Sequence, residues 1–237
     1  MVKEKETDCM LCGNHLARYR DEVPGYQEPK RFHIYSCRNC DTSFALPKVD
    51  PSRIYQTIYN AGDQVPGYSR YWEYARSVLN YDDPLQYLIE KEDVYWAVTQ
   101  ALLKLVDDKT NTQILEIGCG VGYFTYALRK AGYQVTGLDI SQSAVSRAVE
   151  LFGDYYLCGD INDCSILKKG SYNVVIMTEV LEHIDNPIVL LESVKNILCN
   201  EGFVIVTTPN KSFFDDEIAW ETELPPVHQW WFSESSL

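Results

Sequence analysis

Short apolar runs alternate with helical patterns in the second half of the chain. Runs at 114–117, 134–138, 155–158, 172–178 and 203–208 have the length and composition of strands buried in a sheet. The clearest helix between them begins at Ser141, a favoured N-cap residue, and continues to Phe152. This alternation predicts a parallel sheet with right-handed crossovers and a ligand site at the carboxyl ends of its strands.

Aromatic residues at helical spacing dominate the middle of the chain. One predicted helix face consists of Tyr71, Tyr74, Ala75, Val78 and Leu79. A second helix is predicted to begin at Asp83-Pro84, with aspartate as N-cap and proline at the first helical position. Its apolar line continues through Leu88, Tyr95, Val98, Leu102 and Leu105. We expect most of these aromatic side chains to pack in a core.

Two cysteine pairs distinguish the first 48 residues. Cys9 and Cys12 form the first pair, and Cys37 and Cys40 form the second after 24 intervening residues. Two-residue gaps let both sulfurs of a pair reach one tetrahedral ion, so this spacing predicts a zinc ribbon. The residues after the two pairs, a glycine and an aspartate, suit the left-handed turns required there. A segment this short is expected to depend on the metal for its fold.

A glycine-rich turn separates the first strand and the first helix of the α/β segment. Gly118, Gly120 and Gly122 alternate in the run ILEIGCGVGYFTYAL, which begins at residue 114. Such glycines allow a tight turn and a close approach of ligand to backbone N–H groups. The dinucleotide-binding pattern has a third glycine one position later, where this chain has a tyrosine. Asp139 ends the next strand, where a carboxylate can bind ribose hydroxyls, and Asp160 follows the third strand.

With the run EVLEH at 179–183, these features resemble the class I S-adenosylmethionine-dependent methyltransferases over about residues 84–210. The resemblance implies a Rossmann-like, mostly parallel sheet flanked by helices, with S-adenosylmethionine as cofactor. It also implies a set of cofactor-binding residues: Glu116, Gly118, Cys119, Gly120, Gly122, Asp139, Ile140, Asp160, Ile161, Thr178, Glu179 and Val180. In the family pattern Asp139 binds the ribose, Ile140 and Ile161 flank the adenine, and 178–180 line the methyl end.

His183 and His228 are the predicted catalytic residues. The sulfonium makes methyl transfer easy, so the protein mainly aligns the reactants. An oxygen or carbon nucleophile must still lose a proton, which histidine can accept, and the acidic residues 215–217 are weaker candidates. In a second interpretation Glu179, Glu182 and both histidines hold Mg²⁺ against a substrate hydroxyl, as in small-RNA 2′-O-methyltransferases and some ubiquinone-type O-methyltransferases. In a third, His183 only bonds the backbone at a helix start.

Charge and composition narrow the classes of partner. The chain has 237 residues and a net charge of −13, and its first 50 residues carry equal numbers of acidic and basic side chains. The excess negative charge beyond them argues against broad contact with nucleic-acid phosphates. The sequence shows neither a membrane-spanning apolar run nor a secretory leader, and its other four cysteines are scattered, so we expect a reducing cytoplasmic location. Nothing in the sequence indicates an oligomeric state.

The predicted organisation is a small zinc ribbon over 1–48, a helical linker or lid over 49–110 and the methyltransferase domain over 111–237. The family's sheet usually has two more strands than this sequence shows, and 232–235 is predicted to begin a helix, so we expect a truncated chain. The predicted function is methyl transfer to oxygen or carbon of a small molecule or sugar-type substrate, by resemblance to ribbon-bearing deoxysugar C-methyltransferases. The alternatives are an RNA methyltransferase whose ribbon contacts the substrate and a non-catalytic S-adenosylmethionine-binding protein.

Overall fold

The computed structural model describes residues 8–26, 28–61, 67–163, 165–213 and 224–237. They form two compact units. The ribbon unit contains Met1–Ile54, Leu181–Ile188 and Thr208–Leu237, and the sheet unit contains Tyr55–Val180 and Val189–Thr207. None of the described helices combines the length and apolar character that a membrane crossing requires.

In chain order the strands are β1 (Leu16–Gly25), β2 (Glu28–Cys37), β3 (Ser43–Leu46), β4 (Gln113–Ile117), β5 (Gln134–Asp139), β6 (Tyr156–Cys158), β7 (Tyr172–Thr178), β8 (Leu198–Thr207) and β9 (Trp230–Trp231). The helices are α1 (Ser52–Ala61), α2 (Ser69–Ser77), α3 (Pro84–Ile89), α4 (Asp93–Leu105), α5 (Tyr123–Lys130), α6 (Gln142–Phe152) and α7 (Pro187–Ile197). Short 3₁₀ turns include Ile161–Asp163 and Leu181–His183.

The sheet unit is built on five parallel strands in the order β6-β5-β4-β7-β8. Four successive residues of β7, from Val174 to Met177, are at most 1% exposed. Such a continuous apolar run fits a strand that has neighbours on both edges and helices over both faces of the sheet. The predicted α/β class, with a parallel sheet flanked by helices, is confirmed.

The helix predicted from Asp83 to Leu105 is interrupted. Asp83 caps α3 as expected, since its side chain accepts a bond from the Gln86 N–H at 3.0 Å. The helix ends at Ile89, however, and Glu92 adopts an extended backbone before α4 begins. The Glu92 carboxylate lies 3.1 Å from the Arg70 guanidinium and accepts the Tyr74 hydroxyl at 2.8 Å. These contacts with α2, which the sequence pattern does not show, accompany the break.

The ribbon unit contains an antiparallel sheet in the order β1-β2-β3-β9. Its core includes Phe32, Ile34 and Trp231. The helix predicted to begin at 232–235 is wrong, because Trp230 pairs with Phe44 of β3 and the residues after β9 form a turn. In that turn the Ser233 N–H donates to the Ser236 hydroxyl at 2.7 Å. A distant strand and a local side chain therefore replace the expected helix start.

Candidate functional site

The glycine loop joins β4 to α5. Gly118, Gly120 and Gly122 have φ values of 73°, 52° and 82°, a region in which other residues are strained. An added Cβ would lie 2.5 Å from Val180 Cγ2 at Gly118 and 2.6 Å from Ala148 Cβ at Gly122. The backbone conformation and the close packing both require glycine at these two positions. The buried Cys119 lies between the first two glycines.

The Asp139 carboxylate ends β5 beside this loop. Its Oδ2 accepts the Gly120 N–H and its Oδ1 accepts the Ser141 N–H, both at 2.8 Å. Burial raises the pKa of Asp139, and the two backbone N–H groups limit the rise. Each carboxylate oxygen can accept a further hydrogen bond. The arrangement therefore suits the predicted binding of ribose hydroxyls, with the carboxylate already held by the loop.

Tyr59 is a residue of this site that the sequence did not indicate. Its hydroxyl oxygen would lie 3.6 Å from a Cβ at Gly120. Burial raises the pKa of its phenol, and the negative charge of Asp139 raises it further. Tyr59 precedes the segment that contains the family motifs. The one feature of the sequence that could have indicated it is the high aromatic content of residues 49–110.

The predicted adenine-side residues follow β5 and β6. Ile140 is 72% exposed, a large fraction for an isoleucine. Asp160 is exposed and its Oδ1 accepts the Asn162 N–H at 2.9 Å, while Ile161 is half-buried at the start of a 3₁₀ turn. An exposed apolar side chain next to the ribose-binding candidate is compatible with a planar ligand. These adenine contacts stay predictions.

Glu116 lies in β4 and is buried. It accepts the Thr125 hydroxyl from α5. Burial raises the pKa of Glu116 to about 7, and the Thr125 hydrogen bonds oppose the rise. Its bond to α5 gives it a role in fixing the helix that follows the glycine loop, and its predicted cofactor contact stays a prediction.

The carboxyl end of β7 contains two unusual features. The Thr178 hydroxyl is buried and has no hydrogen-bond partner in the part of the chain that the structure describes. Glu179 has a φ of 53°, and its N–H donates to the Thr207 carbonyl at 3.1 Å. Non-glycine residues at positive φ are uncommon and occur often at functional sites. Both features lie within the predicted methyl-end segment 178–180.

The ribbon unit brings Glu182, His183 and His228 together in what we call the acid–histidine cluster. One ligand atom from each lies within 4.8 Å of the others. The imidazole centroids are 4.5 Å apart with an angle of 86° between the rings. His183 Nδ1 is 2.9 Å from the Val227 carbonyl, so this nitrogen donates and Nε2 carries the lone pair in the neutral ring. The backbone bond offered above as an alternative role therefore occurs, and the other ring nitrogen, Nε2, lies 3.8 Å from Glu182 Oε1.

Burial dominates the electrostatics of the acid–histidine cluster. Glu182 is 0% exposed, and neither of its carboxylate oxygens completes a hydrogen bond among the described residues. Burial raises the pKa of Glu182 to about 7, although its own N–H and the Thr208 hydroxyl oppose the rise. The pKa of His228 lies well below 6.5 because the ring is buried and, secondarily, because His183 is nearby. A buried carboxylate whose hydrogen bonds are incomplete is costly unless it gains a proton or a cation.

Not all of the candidate residues can be placed with this cluster. Glu179, the fourth residue of the Mg²⁺ interpretation, belongs to the sheet unit. The acidic residues 215–217 lie outside the described residues. The sequence indicated Glu182 only as a metal ligand. Its burial suits it to a second role, that of a proton acceptor with a pKa near neutrality.

The four paired cysteines converge as the ribbon prediction requires. The Cys9 and Cys40 sulfurs are 3.6 Å apart, and those of Cys12 and Cys37 are 3.4 Å apart. Four sulfurs at about 2.3 Å from one tetrahedral ion would be about 3.8 Å from each other. The backbone N–H of Asn14 is the main cause that lowers the pKa of Cys12 to about 6. The donor set and its spacing therefore fit zinc.

A family model for a methyltransferase domain matches residues 89–237. The chain belongs to this methyltransferase-domain family. Among curated relatives, ubiquinone biosynthesis O-methyltransferase from Glaesserella parasuis is 28% identical over 123 residues, covering 46% of this chain and 52% of the relative. The Shewanella halifaxensis protein of the same name is 30% identical over 105 residues, covering 42% and 44%. The chain thus spans about half the length of the curated relatives it matches.

Solved methyltransferases also resemble this chain. Phosphoethanolamine N-methyltransferase 2 from Haemonchus contortus, in complex with S-adenosyl-L-methionine, is 26% identical with a TM-score of 0.42, covering 48% of this chain and 28% of that one. An S-adenosylmethionine-dependent methyltransferase from Mesorhizobium loti is 23% identical with a TM-score of 0.41, covering 47% and 52%. Tyr59 lies outside the segment that the methyltransferase-domain model matches.

Proposed function

We propose that this protein transfers a methyl group from S-adenosylmethionine to an oxygen or carbon of a small-molecule or sugar-type substrate. The observation that carries the proposal is the Asp139 carboxylate, which the Gly120 and Ser141 N–H groups hold beside the glycine loop. Two relatives named as O-methyltransferases favour oxygen as the acceptor. The net charge of −13 favours a small substrate over a polyanion such as RNA.

The sheet unit supplies the residues that would bind and orient the cofactor. Asp139 accepts the ribose hydroxyls, and the exposed Ile140 offers an apolar surface to the adenine. The Thr178 hydroxyl gains a hydrogen-bond partner when ligand fills the carboxyl end of β7. Because the sulfonium is already an activated methyl donor, alignment of donor and acceptor is the main requirement.

The acid–histidine cluster is the candidate for activating the acceptor. The Glu182 carboxylate, with a pKa of about 7, can take a proton near neutral pH, and the neutral His183 ring has its lone pair at Nε2. His228 is a poor proton acceptor because its pKa is lowered, but for the same reason it remains neutral and suits a metal ion. The cluster could therefore act as a general base or hold a divalent cation.

The donor set decides which cation would fit best. Both Glu182 oxygens and Nδ1 of His228 are buried without a hydrogen-bond partner among the described residues, and His183 Nε2 lies 3.8 Å from Glu182 Oε1. One carboxylate and two imidazoles suit Mn²⁺ or Zn²⁺ better than Mg²⁺, which prefers oxygen ligands. Such an ion would act as a Lewis acid that favours the deprotonated form of a substrate hydroxyl. This alternative retains the predicted metal role and changes the preferred ion.

Cofactor binding and the fate of the methyl group test the proposal. Calorimetry should detect binding of S-adenosylmethionine and S-adenosylhomocysteine but not of NAD, and the reverse pattern would contradict it. Protein incubated with labelled S-adenosylmethionine and cell-extract fractions should then transfer label to the small-molecule or polysaccharide fraction. Label in RNA would support the RNA-methyltransferase alternative. Cofactor binding with no transfer to any fraction would support the non-catalytic one.

Substitutions in the acid–histidine cluster separate its two roles. With a bound cation, Glu182→Gln, His183→Ala and His228→Ala should each remove turnover, and added Mn²⁺ should restore activity after chelation. With a metal-free base, His228→Ala should be mild and chelation should act only through the ribbon. His15→Ala, a change of an exposed histidine in the same unit, is the control. Turnover within a factor of about three in both Glu182→Gln and His183→Ala would contradict both roles, because general-base catalysis typically contributes 10²–10⁴-fold.

A further inference from the structure

The backbone that presents the acid–histidine cluster is fixed by Gln229 and Trp230. The Gln229 N–H donates to the Glu182 carbonyl at 2.8 Å, and its side-chain amide donates to the His183 carbonyl at 3.3 Å. The Trp230 indole N–H donates to the Ile184 carbonyl at 2.7 Å. Two adjacent residues thus bond three successive carbonyls of the turn that carries Glu182 and His183.

Gln229 is in turn fixed by the ribbon. The Ala45 N–H of β3 donates to the Gln229 carbonyl at 3.0 Å. The Lys48 ammonium, two residues after β3, donates to the Gln229 side-chain oxygen at 2.9 Å. The Gln229 N–H therefore contacts the turn, its carbonyl contacts β3, and its side-chain amide contacts both the turn and Lys48.

Lys48 occupies an unusual position for a lysine. Its side chain is only 24% exposed, and its ammonium lies 4.5 Å from the centre of the Trp230 ring and 3.8 Å from Asp185 Oδ1. Burial lowers the pKa of Lys48 to about 8, although Asp185 opposes the change. A partly desolvated ammonium is unfavourable unless specific partners compensate it. Here those partners are Gln229, Trp230 and Asp185.

We propose that Lys48 and Gln229 are positioning residues through which the cysteine ribbon aligns the acid–histidine cluster. The ribbon's β3 edge holds β9 and Gln229, and Gln229 holds the turn on which Glu182 and His183 lie. His228 precedes Gln229 directly, so the same contacts restrain both histidines. The inference rests on the proposed function for its catalytic meaning, but the geometric link can be tested without turnover.

Imidazole NMR spectra of the full chain provide that test, since the protein has only four histidines. Lys48→Met keeps most of the side-chain stem and removes the ammonium, whereas Lys168→Met makes the same change at an exposed lysine of the sheet unit. The His183 and His228 signals should shift or broaden in Lys48→Met and match the wild type in Lys168→Met. Unchanged signals of both histidines in Lys48→Met would overturn the proposal.

A second variant keeps the test decisive if Lys48→Met unfolds the ribbon. Gln229→Met removes both side-chain links but retains the backbone bonds, and zinc content equal to wild type shows that its ribbon is folded. It should perturb the signals of the same two histidines. The signal changes in the double variant, Lys48→Met with Gln229→Met, should be little larger than those in either single variant, because both substitutions remove the same linkage. Additive effects, or histidine signals like those of the wild type, would contradict the proposal.

Kinetics then separate this inference from the proposed function. Both variants should lower kcat roughly 10- to 100-fold, the usual range for residues that orient active groups, with the KM for S-adenosylmethionine unchanged. If a variant has shifted histidine signals but the kcat of the wild type, the acid–histidine cluster has no catalytic role. Such a result would contradict the positioning function. If the wild type itself shows no transferase activity, the proposed function fails while the NMR result still decides the linkage.

Discussion

The two units each contain a buried carboxylate, and they support it in opposite ways. In the sheet unit, both oxygens of Asp139 accept backbone N–H groups, from Ser141 two positions away and from Gly120 19 positions away. In the ribbon unit, the Glu182 carboxylate completes no hydrogen bond with the described residues, and its backbone is held by residues more than 40 positions away. A carboxylate held by completed hydrogen bonds is ready to accept ligand hydroxyls, whereas one without completed hydrogen bonds is suited to a proton or a cation.

The largest expected effect separates the two units. Cys37→Ser should abolish binding of the one zinc ion per chain that we predict for the wild type, because structural zinc contributes about 10 kcal/mol or more to folding. The ribbon should unfold and the His183 and His228 imidazole signals should change. Binding of S-adenosylmethionine should survive, because each unit has a separate hydrophobic core. Metal analysis, imidazole NMR and calorimetry measure the three effects.

Cys199→Ser is the matched control, since this half-buried cysteine lies outside the two pairs. It should retain both zinc and cofactor binding. Less than about a tenth of an equivalent of zinc in wild-type protein prepared without chelator would reject the ribbon assignment. Loss of cofactor binding in Cys37→Ser would show that the sheet unit depends on the ribbon.

Gly122→Ala should disrupt the sheet unit instead. Gly122 has a φ of 82°, and a Cβ there would lie 2.6 Å from both Ala148 Cβ and Tyr156 Cε1. Backbone strain of about 1–2 kcal/mol and overpacking of about 1–3 kcal/mol should add. Urea unfolding should show the loss, with zinc content retained.

Gly170→Ala isolates the backbone part of this effect. Gly170 also has a positive φ, of 65°, but the nearest atom to an added Cβ is 3.9 Å away. The free energy of unfolding of Gly170→Ala should therefore fall only by the contribution from backbone strain. Equal losses in the two variants would show that the loop accommodates the extra methyl group.

Asp139→Ala tests the carboxylate that has donors. Removal of the acceptor should weaken S-adenosylmethionine binding by about 1–3 kcal/mol, because ribose hydroxyls and two backbone N–H groups lose their partner. Calorimetry measures the change, and Asp154→Ala, at an exposed position of the same unit, should leave it unaltered. Wild-type affinity in Asp139→Ala would remove this residue from the cofactor site.

The smallest effect concerns the pH dependence of stability. The pKa of Glu116 rises from 4.5 to about 7 on folding, mainly through burial. Between these values the native state binds more protons than the unfolded state, so the free energy of unfolding falls as pH rises. From pH 5.5 to 7 the decrease should be about 1.5 kcal/mol. Urea unfolding of Glu116→Gln should lack it, and Glu73→Gln, at an exposed position, should retain it. Parallel slopes for Glu116→Gln and wild type would contradict the raised pKa.

Local patterns explain which parts of this structure the sequence predicted. The Ser141 cap, the bounds of β7 and the glycine loop depend on residues within a few positions of each other, and the structure matches them. The cysteine spacing predicted the ribbon for the same reason, because the two cysteines of each pair are three positions apart. The break before α4 and the strand at Trp230 depend on partners far along the chain, Arg70 and Phe44, for which the pattern contains no signal.

The candidate site divides in the same way. Sequence motifs indicated Asp139 and both histidines, because residue type and position after a strand are visible in the sequence. The closeness of Glu182 to the histidines, the unusual burial of Lys48 and the position of Tyr59 beside Gly120 are properties of packing. Burial determines the protonation of Glu182 and His228, and a sequence pattern does not reveal it.

The pairing of β3 with β9 also sets the order in which a growing chain can fold. Phe44 and its partner Trp230 are 186 positions apart, so at 5–20 residues per second the ribosome delivers the second roughly 10–40 s after the first. The cysteine pairs emerge before Phe44, and all five parallel strands emerge during that interval. One edge of the ribbon sheet remains open meanwhile, and such edges invite pairing with other chains. The acid–histidine cluster, which needs β9, is therefore among the last parts of the molecule to form.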